Sequence, residues 1–289
     1  MRFEKWQGLG NDYIIVEASA LPGTLSVEAV ALLCDRHLGI GGDGVLLRDV
    51  PSGAVPGAVA RMRIFNPDGS EPEMCGNGIR MFAKYLRRTG VVEADAFVVE
   101  TLAGPIGPRL LPDGRVRVDM GTARFQGDSI AGDLVGEAQE VVARELEVRG
   151  ERYTYTFVDV GNPHCVIAVD DVVDLPLEQV GPLIERLPLF PNRVNVEFVR
   201  KEDDGSITMR VWERGVGETL ACGTGATAVG AAAVRLGLAR SPVRIHLLGG
   251  DLDIDVAEDW RVVMTGPAEE AFSGWLSTEM LHKLGWKES

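Results

Sequence analysis

Two segments of the sequence repeat one pattern, and this repeat limits the possible folds more than any other feature. Each segment begins with a cysteine, continues with glycines and a helical run, and ends on a glycine. The segments are "CGNGIRMFAKYLRRTG" from Cys75 to Gly90 and "CGTGATAVGAAAVRLG" from Cys222 to Gly237. They have the same length, and a strand-like apolar run follows each one. The last glycine suits the position just after the end of a helix.

The match continues upstream of both cysteines. "RIFNPDG" precedes Cys75 at the offsets at which "RVWERGV" precedes Cys222, so Asn66 aligns with Glu213. Further upstream, "LGND" and "VGNP" each precede an apolar strand. Chance similarity between two glycine-rich helix starts explains one short match, but not aligned offsets on both sides. We therefore infer an ancestral duplication.

The duplication predicts an α/β fold of two pseudo-symmetric halves. Each half is expected to be a mixed, curled β-sheet around a central helix that begins at the cysteine. We expect the active site in the cleft between the halves. A strand ends within "VDMGTARF", and a boundary there gives an N-terminal half of residues 1–119 plus 268–289 and a C-terminal half of residues 120–267.

Hydrophobic periodicity predicts the individual elements. Ile79, Phe82, Ala83 and Leu86 follow the stripe of an amphipathic helix. The helix after Cys222 is apolar on almost all sides, which is typical of a helix enclosed by a sheet. Short apolar or alternating runs predict strands at "DYIIVEA", "GVLLRD", "ARMRIF", "YTFVDV", "CVIAVD", "VNVEFV" and "TMRVW".

Composition excludes several classes of partner. The formal net charge of the 289 residues is −14, whereas nucleic acid and anionic membranes select for clustered Lys and Arg. The N-terminal "MRFEKWQGLG" has no apolar signal-peptide region, and no apolar run approaches the roughly 18 residues that span a bilayer. We predict a cytoplasmic protein that binds neither nucleic acid nor membrane.

Four cysteines lie far apart in the sequence, and none forms a C-x-x-C pair that would indicate zinc or a redox loop. We expect reduced thiols and no metal site. Cysteine is among the most buried residue types, so we interpret Cys34, in the predicted helix "LLCDRHLG", and Cys165, in the predicted strand "CVIAV", as core residues. Cys75 and Cys222 are the candidates for chemistry.

A thiol at a helix start has two useful properties. The first N–H groups of a helix lack internal partners and carry about half a positive charge, so they can lower the pKa of a cysteine and hold a carboxylate. If the N-termini of two such helices both hydrogen-bond to the carboxylate of one small molecule, a sulfur can lie on each side of its α-carbon. One thiolate then removes the α-proton from one face, and the other thiol returns a proton to the opposite face. This chemistry inverts the carbon without pyridoxal phosphate.

The same residues resemble a known family. "GLGNDYIIV", "FNPDGSEPEMCGNGIR", "GNPHCV", "NRVNVEFV" and "ERGVGETLACGTGA" are similar to motifs of the diaminopimelate epimerases, over nearly the whole chain. The resemblance implies interconversion of LL- and meso-diaminopimelate in lysine and peptidoglycan-precursor synthesis, without a metal or an organic cofactor. Relatives are commonly dimers, so a homodimer is expected.

The resemblance also implies roles for individual residues. Cys222 is the base and Cys75 the proton donor in the LL-to-meso direction, and Glu213 and His164 complete the catalytic set. Arg214 offers a planar fork for the distal carboxylate, and Glu213 can pair with the ammonium on the reacting carbon. The implied substrate contacts are Asn11, Asn66, Gly76, Asn77, Asn162, Asn195, Glu213, Arg214, Gly223 and Thr224.

One position departs from the family pattern. Family members often have a substrate-contacting glutamine in the loop that reads "GGDG" here, where this chain has Gly44. A side-chain contact from this position is therefore lost, or replaced by backbone or water.

Other functions stay open at this stage. A racemase of another amino acid is one, because Gly44 changes the expected contact set. A cysteine hydrolase that uses Cys75 or Cys222 with His164 is a second, and a non-catalytic amino-acid binding protein is a third. The loop "GIGGDG" lacks the Lys-Ser/Thr of a nucleotide-binding P-loop.

Overall fold

A computed structural model describes residues 1–126, 130 and 139–287 of the chain. The chain forms two compact units, here called the first and the second unit. The first unit joins Met1–Val118 with Gly266–Ser289, and the second unit is Asp119–Thr265. Residues 288 and 289, which the sequence assigned to the N-terminal half, lie outside the described residues.

Both units consist mainly of strands. In chain order the strands are β1 (Arg2–Gly8), β2 (Asn11–Glu17), β3 (Gly44–Asp49), β4 (Ala58–Phe65), β5 (Val98–Thr101), β6 (Gly104–Ile106), β7 (Arg109–Leu110), β8 (Val116–Thr122), β9 (Arg144–Val148), β10 (Glu151–Asp159), β11 (Pro163–Ala168), β12 (Asn195–Lys201), β13 (Ile207–Glu213), β14 (Gly217–Glu218), β15 (Val243–Leu247), β16 (Gly250–Val256), β17 (Arg261–Gly266) and β18 (Glu269–Trp275). The α-helices described are α1 (Val27–Cys34), α2 (Gly76–Arg88), α3 (Leu177–Glu185), α4 (Gly223–Arg235) and α5 (Thr278–Lys283).

The two units repeat one order of strand pairing. In the first unit β1 to β6 pair in succession, and the pairs are antiparallel, parallel, antiparallel, parallel and antiparallel. In the second unit β10, β11, β12, β13, β15 and β16 pair in the same order of types. Helix α2 connects β4 to β5, and α4 connects β13 to β15. The predicted fold of two pseudo-symmetric mixed α/β halves is confirmed.

Each sheet curls around its central helix. Helix α2 contacts β18, β1, β2 and β4, and α4 contacts β10, β11, β12, β15 and β16. Strands four or more places apart in one sheet reach the same helix only if the sheet bends around it. At Gly230 of α4, an added Cβ would lie 2.5 Å from Ile254 Cγ2, so the helix backbone lies directly against β16. The small residues of this helix permit that approach.

The predicted helix stripe is confirmed. Ile79, Phe82, Ala83 and Leu86 of α2 are all fully buried against the sheet. The helix ends at Arg88 with Thr89 as its C-cap, and Gly90 follows with a φ of 74°, the left-handed conformation that favours glycine at this position. The second unit ends α4 in the same way at Gly237, whose φ is 68°.

Membrane insertion through helices has no candidate segment in the described ranges. None of the helices there combines the length and the apolar character that a bilayer crossing requires.

Candidate active site

Cys75 caps the N-terminus of α2. Its backbone is extended, with φ −139° and ψ 117°, and its Sγ atom accepts a hydrogen bond of 3.3 Å from the backbone N–H of Gly78. The hydroxyl of Tyr13 also donates to this sulfur, at 3.6 Å. The thiol is partly exposed. A sulfur that accepts hydrogen bonds from two donors lies in surroundings that suit a negative charge.

Polar side chains beside Cys75 form one connected set. Asn77 Nδ2 donates to Asn11 Oδ1 at 3.1 Å, and Asn11 Nδ2 donates to Asp43 Oδ2 at 2.8 Å. Arg80, which is fully buried, donates to Asn77 Oδ1 at 2.9 Å and to the Gly76 carbonyl at 3.0 Å. The structure therefore brings Asn11, Gly76 and Asn77 together. Sequence reasoning missed Arg80 and Asp43, which hold them in place.

Arg80 carries a positive charge into the interior near Cys75. Burial lowers the pKa of Arg80 to about 10, and the charge of Cys75 acts in the opposite direction. The group still titrates far above neutrality, so it stays charged and can stabilise an anion at the N-terminus of α2. We call Cys75, Tyr13, Asn77 and Arg80 the first half-site.

Asn66 lies in a turn, and the described contacts do not join it to Cys75. Its Nδ2 donates to Ser70 Oγ at 3.0 Å, and its backbone N–H donates to the Ser70 carbonyl at 2.9 Å. Both bonds close the turn between β4 and α2. A role in substrate binding at this position stays a prediction.

Gly44 has no space for a side chain. It begins β3 and lies beside Tyr13 in the parallel register of β2 and β3. A Cβ at this position would lie 2.6 Å from the Phe65 carbonyl oxygen and 2.6 Å from Tyr13 Cε1. Because no Cβ fits at either distance, the backbone at Gly44 cannot carry a glutamine side chain in this arrangement.

Cys222 repeats the geometry of Cys75 in the second unit. It caps the N-terminus of α4 with φ −123° and ψ 109°, and its Sγ accepts from the backbone N–H of Gly225 at 3.4 Å. Thr224 Oγ1 lies 3.5 Å from the same sulfur. Glu213 hydrogen-bonds to the Cys222 side chain, and it accepts from Thr219 Oγ1 at 2.5 Å. The thiol is 5% exposed, so it is far less accessible than a surface cysteine.

The expected lowering of the thiol pKa by the helix start is wrong for Cys222. Burial raises the pKa of Cys222 well above its ordinary value, and the negative charges of Glu213 and Glu197 act in the same direction. Hydrogen bonds from Thr224 and from the Gly225 N–H oppose these effects without overcoming them. Burial also raises the pKa of Glu213. At neutral pH the second unit therefore holds Cys222 as a protonated thiol.

His164 is fully buried and bonds at both ring nitrogens. Its Nδ1 lies 2.6 Å from Glu197 Oε1, and its Nε2 lies 3.0 Å from Asn162 Oδ1. Asn162 Nδ2 donates in turn to Thr224 Oγ1 at 3.3 Å. His164 thus reaches the neighbourhood of the thiol through Asn162 and Thr224 rather than directly. Because both nitrogens are engaged, the imidazole is not placed to deprotonate Cys222 as in a cysteine hydrolase.

Glu197 is a further residue that sequence reasoning missed. It lies on β12 with its side chain fully enclosed, and its Oε2 atom is buried without a hydrogen-bond partner among the described residues. A Cβ added at Gly225 would lie 3.0 Å from Glu197 Oε1, so the carboxylate lies directly below the first turn of α4. We call Cys222, Glu213, Thr224, His164 and Glu197 the second half-site.

Asn195 and Arg214 lie on neighbouring segments of the second unit. The Asn195 amide donates to the Pro163 carbonyl at 3.0 Å and accepts from the Arg214 backbone N–H at 2.9 Å. The Arg214 guanidinium donates to the Asn192 carbonyl at 3.2 Å. Asn195 thus fixes the main chain that carries Arg214.

The N-termini of α2 and α4 offer further groups that could bind a ligand. Gly76 and Asn77 begin α2, and Gly223 and Thr224 begin α4, where backbone N–H groups have no partner inside the helix. Within the part of the chain that the structure describes, no three or more His, Cys, Asp or Glu side chains cluster so as to hold a metal ion.

Comparison with known sequences places these half-sites in a family context. The family model for diaminopimelate epimerase matches residues 3–126 and 156–270. A diaminopimelate epimerase from Moorella thermoacetica is 48% identical over 281 residues, covering 95% of this chain and 98% of the relative. One from Pelotomaculum thermopropionicum is 50% identical over 285 residues, with coverage of 95% and 98%.

Solved structures share the fold at low sequence identity. A phenazine biosynthesis protein of the PhzF family from Bacillus anthracis superposes with a TM-score of 0.70 at 16% identity, covering 96% of this chain and 99% of the other. A probable proline racemase from Agrobacterium radiobacter gives a TM-score of 0.69 at 17% identity, covering 96% and 93%. At these identities the likeness concerns the fold.

Proposed function

Because this chain belongs to the diaminopimelate epimerase family, we propose that it interconverts LL-diaminopimelate and meso-diaminopimelate. The reaction inverts one α-carbon, and the proposed route transfers the α-proton between the two thiols of Cys75 and Cys222 without a cofactor. The enzyme is an isomerase of the two-base type.

One observation carries this proposal. Two cysteines cap the N-termini of corresponding helices in a repeated topology, and each sulfur accepts a hydrogen bond from the third residue after it. Inversion at one carbon requires a proton acceptor on one face and a proton donor on the opposite face. A duplicated thiol supplies both.

In the LL-to-meso direction we assign Cys222 as the base and Cys75 as the donor. The C–H bond of the α-carbon breaks as an S–H bond forms at Cys222, and the S–H bond of Cys75 breaks as a new C–H bond forms on the other face. Negative charge then accumulates on the α-carboxylate. Backbone N–H groups at the starts of α2 and α4, at Gly76, Asn77, Gly223 and Thr224, are the groups that would stabilise it.

Glu213 couples substrate binding to the ionisation of Cys222. Glu213 is one of the charges that raise the pKa of Cys222. The ammonium group on the reacting carbon would neutralise Glu213 when it binds there. This removes part of the cost of a thiolate, so the base forms when substrate is present. His164, through Asn162, supports the same region.

The remaining polar residues are proposed to recognise the substrate. Arg214 offers a planar guanidinium for the distal carboxylate, and Asn66 and Asn195 add neutral groups. Asn11 and Asn77 are already oriented by the Asp43 and Arg80 contacts of the first unit. A second amino-acid head distinguishes diaminopimelate from ordinary amino acids, so this group of residues should set specificity.

We further propose that the domains of the active enzyme are residues 1–119 with 268–289, and residues 120–267, each contributing one thiol. A cytoplasmic homodimer is proposed as well. Phe272 and Trp275 on the edge strand β18 are 50% and 75% exposed, and large exposed aromatic side chains favour an interface. Sedimentation equilibrium tests the dimer, and a monomer at all concentrations would exclude it.

Deuterium exchange in heavy water tests the activity. Incubation with LL-diaminopimelate should yield meso-diaminopimelate with deuterium at the inverted α-carbon, detected by mass spectrometry and chiral separation. A panel of monocarboxylic amino acids, including proline, should show no exchange. Exchange of a panel member without exchange of diaminopimelate would instead indicate a racemase of that amino acid.

A further inference from the structure

Tyr13 lies against Cys75 in the first half-site, although the repeated motifs gave it no role. Its ring is 5% exposed on β2, and its hydroxyl lies 3.6 Å from Cys75 Sγ. The sulfur also accepts from the Gly78 N–H on its helix side. A hydrogen bond to sulfur is stronger when the sulfur is ionised, so a donor in this place favours the thiolate.

Gly44 makes the position of Tyr13 possible. The two residues are register partners on β2 and β3, and a Cβ at Gly44 would lie 2.6 Å from Tyr13 Cε1. It would also lie 2.6 Å from the Phe65 carbonyl oxygen, which belongs to the backbone and cannot rotate away. Any side chain at this position must therefore displace the Tyr13 ring, and its hydroxyl would leave the sulfur.

We propose that Tyr13 is a positioning residue for the proton transfers of Cys75, and that Gly44 provides the space it needs. In the LL-to-meso direction Cys75 gives up its proton and becomes a thiolate, which the Tyr13 hydroxyl stabilises. In the reverse direction the same hydrogen bond holds the thiolate ready as the base. The kinetic part of this inference rests on the proposed function, whereas the thiolate contact can be tested without substrate.

The first test replaces the hydroxyl and keeps the ring. Tyr13→Phe is compared with the wild type by alkylation with iodoacetamide over a range of pH, with each cysteine followed separately by peptide mass spectrometry. Loss of one hydrogen bond to an ionised group should move the midpoint of Cys75 alkylation upward by about one pH unit. The midpoint of Cys222 in the same sample should stay unchanged and serves as the internal reference.

Tyr153→Phe is the matched control. Tyr153 donates to Glu151 at 2.6 Å on β10, so this change removes a hydroxyl in the other unit without touching Cys75. It should leave both alkylation midpoints and turnover as in the wild type. A purely structural role of Tyr13 would change the unfolding midpoint but not the pH midpoint of Cys75 alkylation.

The kinetic readout uses the direction of reaction. With Cys75 as the base, the acidic limb of the kcat/KM profile for meso-diaminopimelate should shift upward with the alkylation midpoint in Tyr13→Phe. An unchanged Cys75 midpoint would overturn the role of Tyr13, whatever the exchange assay gives. Absence of exchange by the wild type on diaminopimelate would overturn the proposed function, whatever the midpoint does.

A second variant covers the case in which Tyr13→Phe does not fold. Tyr13→3-fluorotyrosine is nearly isosteric, and its more acidic hydroxyl is a stronger donor. The Cys75 midpoint should then move downward. A midpoint that is unchanged or raised would overturn the proposal.

Discussion

The two half-sites have similar backbone conformations at the cysteine but differ in the charge of the neighbouring side chains. Cys75 and Cys222 occupy the same capping position with similar backbone angles, and both accept from a backbone N–H near 3.3 to 3.4 Å. The buried group near Cys75 is the cation Arg80, whereas the groups near Cys222 are the carboxylates Glu213 and Glu197. The duplication thus kept the local geometry while the electrostatic surroundings diverged.

This difference suits the opposite roles proposed for the two thiols. A thiol that donates its proton must be stable as a thiolate. The buried guanidinium of Arg80 and the hydroxyl of Tyr13 stabilise that negative charge at Cys75. A thiol that should ionise only when substrate binds benefits from nearby carboxylates that otherwise keep it protonated. The comparison therefore predicts that the two half-sites respond differently to changes in charge.

The largest expected effect comes from removing either sulfur. Cys75→Ala or Cys222→Ala should reduce epimerisation by about 10⁴-fold, since each variant loses one of the two proposed proton-transfer groups. The variants should differ in exchange: Cys75→Ala retains the base for LL-diaminopimelate and should still incorporate deuterium slowly into that epimer without inverting it. Cys222→Ala should do so with the meso epimer.

Cys34→Ala is the control for these variants. Cys34 is buried, and burial raises its pKa to about 11, so its thiol is inert at neutral pH. Its turnover should match the wild type. Full turnover in either Cys75→Ala or Cys222→Ala would show that one thiol is sufficient and would end the two-base assignment.

The next effect concerns the carboxylate under helix α4. Glu197→Gln removes one partner of the fully buried contact to His164, and breaking such a pair typically costs about 3 kcal/mol of stability. Urea unfolding of the variant measures this loss. The first half-site has no counterpart of this pair among its described contacts, so Cys75 alkylation should keep its pH midpoint. The midpoint of Cys222 should fall, because a negative charge that raises its pKa is gone.

The effect of Glu213→Gln should be somewhat smaller. Loss of the charged hydrogen bond proposed between Glu213 and the substrate ammonium should lower kcat/KM by about 10²-fold, or about 2.7 kcal/mol. At the same time the midpoint of Cys222 alkylation should fall, since Glu213 raises the pKa of this thiol. A lower kcat/KM together with a Cys222 that ionises more readily would distinguish this role from a general loss of folded structure. Glu202→Gln, which instead affects the contacts of Glu202 with Arg200 and Thr208, is the control.

Periodicity in the sequence was sufficient for much of the fold. The stripe of α2 and strands such as β3 follow from apolar spacing alone. Strand β1 was missed because it includes Glu4 and Lys5, which are 3% and 6% exposed, and charged residues ordinarily indicate surface. Their burial depends on partners on other elements, such as Arg88 of α2 for Glu4 and Asp12 of β2 for Lys5.

The residues of the site likewise divide into those that the sequence predicts and those that it does not. Both thiols could be predicted because the same motif of cysteine, glycines and helix occurs twice in the sequence. Arg80 and Glu197 were missed since one charge in an apolar run carries no sequence signal of burial. Tyr13 looked like an ordinary core aromatic of a strand, and its contact with Cys75 depends on a register between β2 and β3 that the sequence does not specify.

The smallest expected effect concerns the carboxylate of Asp12, which follows Asn11 on β2 of the first unit. Burial acts to raise the pKa of Asp12, but hydrogen bonds and charges from Arg36 and Lys5 lower it overall to about 2. The folded value lies below the ordinary 3.8, so the ionised carboxylate contributes stability above about pH 4, and this contribution disappears as the pH falls toward 2. It is on the order of 2 kcal/mol. Asp12→Asn should therefore be less stable than the wild type in urea at pH 6, with a difference that shrinks as the pH approaches 2. Asp203→Asn on an exposed turn should show no such convergence, and a pH-independent deficit in Asp12→Asn would mean that packing rather than charge supports this half-site.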